Sequence, residues 1–254
     1  MKHSILNLTA RWPLLVASCA VALLVGSSAA LALDETRLTQ ALNSADRSDA
    51  DKELDDSRQP VVVLSYLGVE DGMTVLDLMA SAGWYTEVLS HAVGPQGKVL
   101  MHNTEGSLAR GNTADNVTQR LNNRLANVER VEGDFDELDI PSGSVDLALT
   151  HLNFHDVYNG NPAAAQVLLS TVKDALKSGG ILGIVDHRGN VGADNVALHR
   201  ITLDEVAQAV TEAGFHIVGV SDALHVDSDS RTLGPFDESL GRNTDRILLK
   251  AMKP

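Results

Sequence analysis

The feature that most constrains this chain is a rhythm that begins at Thr74. The apolar runs TVLDLM, KVLMHN, NVERVEGD, SVDLALT, ILGIVDH, FHIVGV and TDRILL read as strands. Between them lie WYTEVLSHAV, NTADNVTQRLNNRLA, PAAAQVLLSTVKDALKSGG and TLDEVAQAVTEAGF, whose apolar residues recur at helical spacing. Strands alternating with helices imply an α/β domain with a doubly wound, mostly parallel sheet of seven strands. The last two runs have a polar loop and no helix between them, which predicts a C-terminal antiparallel hairpin. The glycines of LKSGG are expected to end the helix before them. The segment Arg58-Gln59-Pro60 is expected to open a helix through VVVLSYLGV, since proline is tolerated in a first turn.

Residues 1–32 read differently. Lys2 and Arg11 precede an uncharged run from Trp12 to Leu33, and Ala30-Leu31-Ala32 fits the small-x-small pattern of a signal peptidase site. An uncleaved anchor is the alternative, because the run is long enough to span a bilayer. Both readings send the rest of the chain out of the cytoplasm, since the positive charge precedes the span. The expected product is exported, in the periplasm, and touches a membrane only through an uncleaved leader. Residues 33–57 form a polar arm, and residues 58–254 form the domain.

Cys19 is the only cysteine and lies in the leader, which excludes thiol catalysis and cysteine-ligated zinc from the mature chain. Without Lys2 and Arg11 the chain keeps 18 basic against 34 acidic residues, a net charge of −16 with histidine neutral. Such a surface repels phosphate backbones and argues against a nucleic-acid partner. It is compatible with a small-molecule substrate.

Several segments, in order, resemble the class I S-adenosylmethionine-dependent methyltransferases over roughly residues 58–254. LGVEDGMTVLDLMASAGWYTEVLSHAVGPQGKVLMHN is similar to the family's first strand, cofactor loop, first helix and second strand. VERVEGDFDELDIPSGSVDLALT is similar to its third and fourth strands, LKSGGILGIVDH to its fifth, and GFHIVGVSDAL with TDRILLKAMKP to its terminal hairpin. Within the family the GWYTE helix start and the TDRILL ending resemble a set of exported methyltransferases. The resemblance implies S-adenosylmethionine as cofactor, a Rossmann-like fold, and methyl transfer to a small molecule.

The resemblance also assigns residues. Asp77 would fix the loop and the cofactor's amino-acid end. Ala80, Ser81 and Gly83 would form the loop, and Trp84, Tyr85 and Thr86 would open a helix whose free N–H groups favour a carboxylate. Met79 and Ser81 stand where the family has glycine, and Met79 could fill part of the cofactor's place. Asn103 replaces the acid that accepts from the ribose hydroxyls. Asp134 would accept from the adenine amino group, with Phe135 packed on the ring. In HLNFHD, His155 is the expected general base, because an unperturbed imidazole titrates near neutrality. Asn153 would position the acceptor and Asp156 would orient His155. His151 reads as a satisfied histidine at a strand end. His199-Arg200 and Arg231 read as surface residues. Two rival readings remain: a non-catalytic binding module on a degenerate methyltransferase fold, and a metal enzyme using His151, His155 and His187.

Overall fold

A computed structural model describes Met1 and residues 32–254. The leader's apolar run lies outside the described residues. Among those described, no helix is long and apolar enough to cross a membrane.

The chain opens with α1 (Glu35–Leu42), two single turns α2 (Asp49–Lys52) and α3 (Asp55–Arg58), and α4 (Pro60–Leu67). Pro60 takes the first turn of α4, where its missing N–H costs nothing. Next come β1 (Thr74–Leu78), α5 (Trp84–Val93), β2 (Lys98–Asn103), α6 (Glu105–Leu108), α7 (Thr113–Leu121) and β3 (Val128–Glu132). The second half runs β4 (Val145–His151), α8 (Phe154–Gly160), α9 (Pro162–Ala175), β5 (Leu176–His187), α10 (Leu203–Glu212), β6 (His216–Ser221) and β7 (Arg246–Met252).

The seven strands form one sheet in the order β3-β2-β1-β4-β5-β7-β6. All neighbours are parallel except β7, which runs antiparallel to β5 and β6. Strand order therefore reverses between β1 and β4. Two apolar layers cover the sheet: Leu38, Leu64 and Leu89 on one face, and Phe154, Leu168 and Val206 on the other. β1 and β4 are buried on both faces, as parallel strands between helices must be.

Several local expectations change. The helix before β5 ends at Ala175, and strand begins at Leu176, so Gly179 and Gly180 lie inside the strand. Pairing of Leu176 with Val145 and backbone bonds of Gly179 and Gly180 with Lys253 draw that segment into the sheet. The stretch after β4 is not only a loop, because α8 starts at Phe154, whose ring is fully buried. The segment 33–57 is polar in composition but tied down. Leu38 of α1 is buried among α4 and α5, and the Arg47 guanidinium grips Asp55 at 2.6 and 2.9 Å. Arg200 is no surface residue either. It is fully buried and pairs with Asp229 at 2.9 Å, pinning the loop between β6 and β7 to the end of β5.

Candidate active site

In an open α/β sheet, ligands bind beyond the carboxyl ends of the strands where strand order reverses. There a cavity of about 430 Å³ opens over β1, β4 and β5. Of the residues assigned from sequence, Asp77, Ala80, Ser81, Trp84, Tyr85, Asn153, His155 and Asp156 line it. Asp51, Leu54 and Arg58, from the segment before β1, also line it. Gly83, Thr86, Asn103, Asp134 and Phe135 lie behind or beyond its walls.

The loop after β1 keeps its shape without its glycines. Met79, Ser81 and Gly83 have φ of 52°, 53° and 80°, the left-handed region that glycine enters freely and other residues enter at a cost of about 1–2 kcal/mol each. The surroundings hold that strain. Asn103 Oδ1 accepts from Ser81 N at 2.8 Å, and its Nδ2 donates to Ser81 O at 3.1 Å. His102 O accepts from Ala80 N, and His102 Nδ1 accepts from Met79 N at 3.2 Å. Burial lowers the His102 pKa, so the ring is neutral and its Nε2–H donates to Gly133 O at 3.1 Å. Asn103 is thus engaged with the loop. Met79 packs against the apolar layer and also lines the cavity.

Gly83 is needed for two reasons. Its φ is positive, and a Cβ there would stand 2.7 Å from Met101 Cε and 3.0 Å from Arg120 Cδ. Arg120 supports this helix start. Its Nε donates to Ala82 O at 2.6 Å, and its guanidinium pairs with Asp51 at 3.0 Å and with Glu87. Trp84 Nε1 donates to Asp51 O at 2.9 Å, which lays the preceding segment over the cavity as a roof.

Asp77 is buried, and its Oδ2 accepts from Thr86 Oγ1 at 2.5 Å. Burial pushes its pKa up to about 7 against the pull of Thr86 and of Arg58 and Arg120. A cationic group in the cavity would restore its charge. Asp134, past the end of β3, is exposed, and its carboxylate makes no hydrogen bond among the described residues. Phe135 packs near the His102 ring, with centroids 5.7 Å apart.

On the other side of the cavity the two histidines expected near the acceptor differ in their partners. His155 Nδ1 lies 2.7 Å from Asp186 Oδ1, and its Nε2 lies 3.1 Å from Asp156 Oδ1. Burial opposes the charge, but bonds to Asp156 and Asp186 and their negative charge push its pKa up to about 9. The ring is an imidazolium at neutral pH with both N–H groups donating, so it has no lone pair with which to act as a general base. Asp156 does contact His155, but it stabilises the charge; it also accepts from His199 Nδ1 at 2.9 Å. Asn153 spends its amide nitrogen on Met79 O and His151 O, tying the exit of β4 to the cofactor loop.

His151, which reads from sequence as a satisfied residue, is not satisfied. Its ring is buried against Tyr85, centroids 4.6 Å apart, and its Nε2 has no partner among the described residues. Burial, with Arg58, Arg246 and His187 nearby, holds its pKa well below the usual histidine range, so the ring is neutral. The Tyr85 hydroxyl beside it is also buried without a partner. His187 is engaged with Thr244 Oγ1 at 2.7 Å. The grouping with metal-ligand spacing is His155, Asp156 and His199, within 4.8 Å of one another, rather than His151, His155 and His187. Ion pairing among these three and Asp186 accounts for it.

Sequence reasoning missed His102, Arg120, Arg58 and Arg246. His102 had a signal, a polar residue at the buried end of a strand; the arginines had none.

Fold and strand-end loop resemble those of the S-adenosylmethionine-dependent methyltransferases. A family model described as a methyltransferase domain matches residues 76–184, from β1 to β5. The ubiquinone/menaquinone biosynthesis C-methyltransferase UbiE of Escherichia coli is 25% identical over 187 residues, covering 73% of this chain and 66% of that protein. A SAM-dependent methyltransferase from Aquifex aeolicus superposes with a TM-score of 0.61 at 20% identity, covering 87% of this chain and 99% of its own. The cyclase SpnF superposes with a TM-score of 0.58 at 18% identity, over 83% of this chain and 85% of its own. Residues 76–184 thus match a methyltransferase domain, and the chain shares the fold of S-adenosylmethionine-dependent methyltransferases while spanning just under two thirds of the length of UbiE. The cyclase is a reminder that the reaction is decided by the site and not by the sheet.

Proposed function

We propose that this chain transfers a methyl group from S-adenosylmethionine to a small-molecule acceptor, and does so outside the cytoplasm, where residues 1–32 direct it. One observation carries the cofactor assignment: the loop 79–83 takes three left-handed residues, two of them not glycine, and is clamped in that shape at the switch between β1 and β4. Backbone strain clusters at ligand sites, and its place at this strand end supports the reading. The buried Asp77 adds the acid that a cationic amino-acid end needs. When bound, the cofactor supplies an electrophilic methyl group on a sulfonium.

The chain's residues supply the rest. Asp77 and the loop orient the cofactor, and Asp134 is available to the adenine. The roof built from Asp51, Leu54 and Arg58 excludes water. Asn153 couples the cofactor loop to β4, so that donor and acceptor sides keep a fixed distance; alignment of this kind is the main contribution to an in-line transfer. His151 Nε2, neutral and without a partner among the described residues, would take the acceptor's proton as the methyl–sulfur bond breaks, the methyl–acceptor bond forms and S-adenosylhomocysteine leaves. His155, already protonated, positions Asp156 and Asp186 at the rim.

The test is calorimetric titration of the full chain with S-adenosylmethionine and S-adenosylhomocysteine. Binding in the micromolar range, weakened by Asp134→Ala, supports the reading. A folded sample that binds neither compound overturns it. The exported location is checked by cell fractionation, where a full-length chain kept in the cytosol would refute it.

A further inference from the structure

We infer that the acceptor is an anion, whose carboxylate or phosphate is received by Arg58, Arg246 and the Tyr85 hydroxyl. The inference rests on the methyltransferase reading and names the substrate class of that site. It follows from how the buried arginines are partnered. Arg47 grips Asp55, Arg120 grips Asp51 and Glu87, and Arg200 grips Asp229. Arg58 and Arg246 break this pattern. Arg246 is 3% exposed, and its guanidinium bonds only neutral oxygens, those of Ser57, Arg242 and Thr244. Arg58 lies over the Trp84 ring, 4.4 Å from its centroid, and makes no ion pair among the described residues. Of the acids whose charge reaches Arg58, Asp51 and Asp55 are already held by Arg120 and Arg47, and Asp77 is bonded to Thr86 with its own charge suppressed by burial. Residues 2–31 contain no acid that could serve.

In a chain of net charge −14, a buried Arg246 and a half-buried Arg58, neither in an ion pair among the described residues, stand out. Burying a charge unpaired is costly, and the cost is removed when an anion enters between two guanidinium groups. Burial lowers the pKa of both, Arg58 to about 10, so both remain charged at neutral pH. The Tyr85 hydroxyl, buried and unpartnered, supplies a third donor. The location favours the acceptor over the cofactor. Arg246 starts β7, and a second cavity of about 290 Å³ shares Arg58 and His187 with the main one. This places Arg246 at the β5 and β7 end of the sheet, and Arg58, which stacks on Trp84 and lines both cavities, joins that end to the main one. An acceptor anchored there would present its nucleophile to His151.

The experiment uses the full chain and simple probes. Benzoate and phenyl phosphate, with neutral benzamide as control, are titrated calorimetrically into wild type and into Arg58→Gln and Tyr85→Phe, with and without saturating S-adenosylhomocysteine. Expected is binding of one or both anions at least tenfold tighter than benzamide. Arg58→Gln should weaken it by about tenfold and Tyr85→Phe by a few-fold, with S-adenosylhomocysteine affinity falling by a smaller factor than that of the anions. The better probe distinguishes a carboxylate from a phosphate acceptor. Anions binding no better than benzamide overturn the proposal. So does a loss of S-adenosylhomocysteine affinity in step with the anions, which would make the arginines a site for the cofactor's own carboxylate. If wild type binds the anions but not S-adenosylhomocysteine, the methyltransferase reading fails while the anion site stands. Tyr85→Phe keeps the ring packing, so a folding failure of the arginine variant leaves the test intact.

Discussion

The two sides of the cavity are built on opposite terms. Over β1 and β2 the polar groups of the wall are satisfied internally: Asn103 by Ser81, His102 by Met79 and Gly133, Asp77 by Thr86. Over β4, β5 and β7 His155, Asn153 and His187 are paired, but others are left open: His151 Nε2 and the Tyr85 hydroxyl packed beside it have no partner, and Arg58 and Arg246 make no ion pair, among the described residues. Buried polar groups are paired in nearly all folded proteins, so unpaired ones mark places completed by something else. The side over β1 and β2, which the proposed function gives to the cofactor, is therefore preorganised by the fold, whereas the side proposed for the acceptor leaves groups open for a ligand. Substitutions on the first side should act through shape, and on the second through chemistry.

The largest effect is expected on the open side. His151→Gln should lower turnover by about 10²–10⁴-fold, the usual range for loss of a general base, with S-adenosylhomocysteine affinity unchanged. Single-turnover rates against pH check this. An equal loss for His155→Gln and none for His151→Gln would reverse the roles of the two histidines. On the preorganised side, Gly83→Val combines a positive φ with a Cβ 2.7 Å from Met101 Cε. It should cost about 2–4 kcal/mol of stability, read by chemical denaturation, and at least about a hundredfold in S-adenosylhomocysteine affinity.

A third effect follows from His155. Its folded pKa of about 9 lies above the ordinary 6.5, so the stabilisation is full below pH 6.5 and is lost as pH rises through about 9. The loss is at most about 3 kcal/mol at 1.4 kcal/mol per unit. His151 and His187 act in the opposite sense. Their lowered pKa means that the unfolded chain takes protons the fold does not, so they cost stability as pH falls below 6.5. Urea unfolding across this range should show stability falling between pH 6.5 and 9, and Asp186→Asn should flatten that fall. The smallest effect should come from Ser81→Gly, which relieves a residue at φ 53° and should stabilise by about 0.5–1 kcal/mol without loss of cofactor affinity. A destabilised Ser81→Gly would mean that the side chain has a contact worth more than the strain.

Much of this was legible from residue order. Alternating strand and helix patterns place Asp77, Asn103, Asp134, His151 and His187 at or just beyond strand ends, and strand ends are where ligands bind. The glycine-poor loop looked like a departure. The structure shows it as a departure in residue type and not in backbone, because Asn103 and His102 hold Met79 and Ser81 where glycine would sit unaided. Arg58 and Arg246 were illegible, since nothing local distinguishes an unpaired arginine from a paired one.

The sheet, the hairpin and the rim were already written in the order of residues, because hydrophobic periodicity is a local property that each segment carries alone. Which histidine is charged and which is free emerged from folding. His155 meets Asp186 across 31 residues, and Arg246 meets Ser57 across 189. A proton's affinity depends on burial and on the charges packed around it, and those neighbours are brought together by the tertiary fold rather than by sequence adjacency.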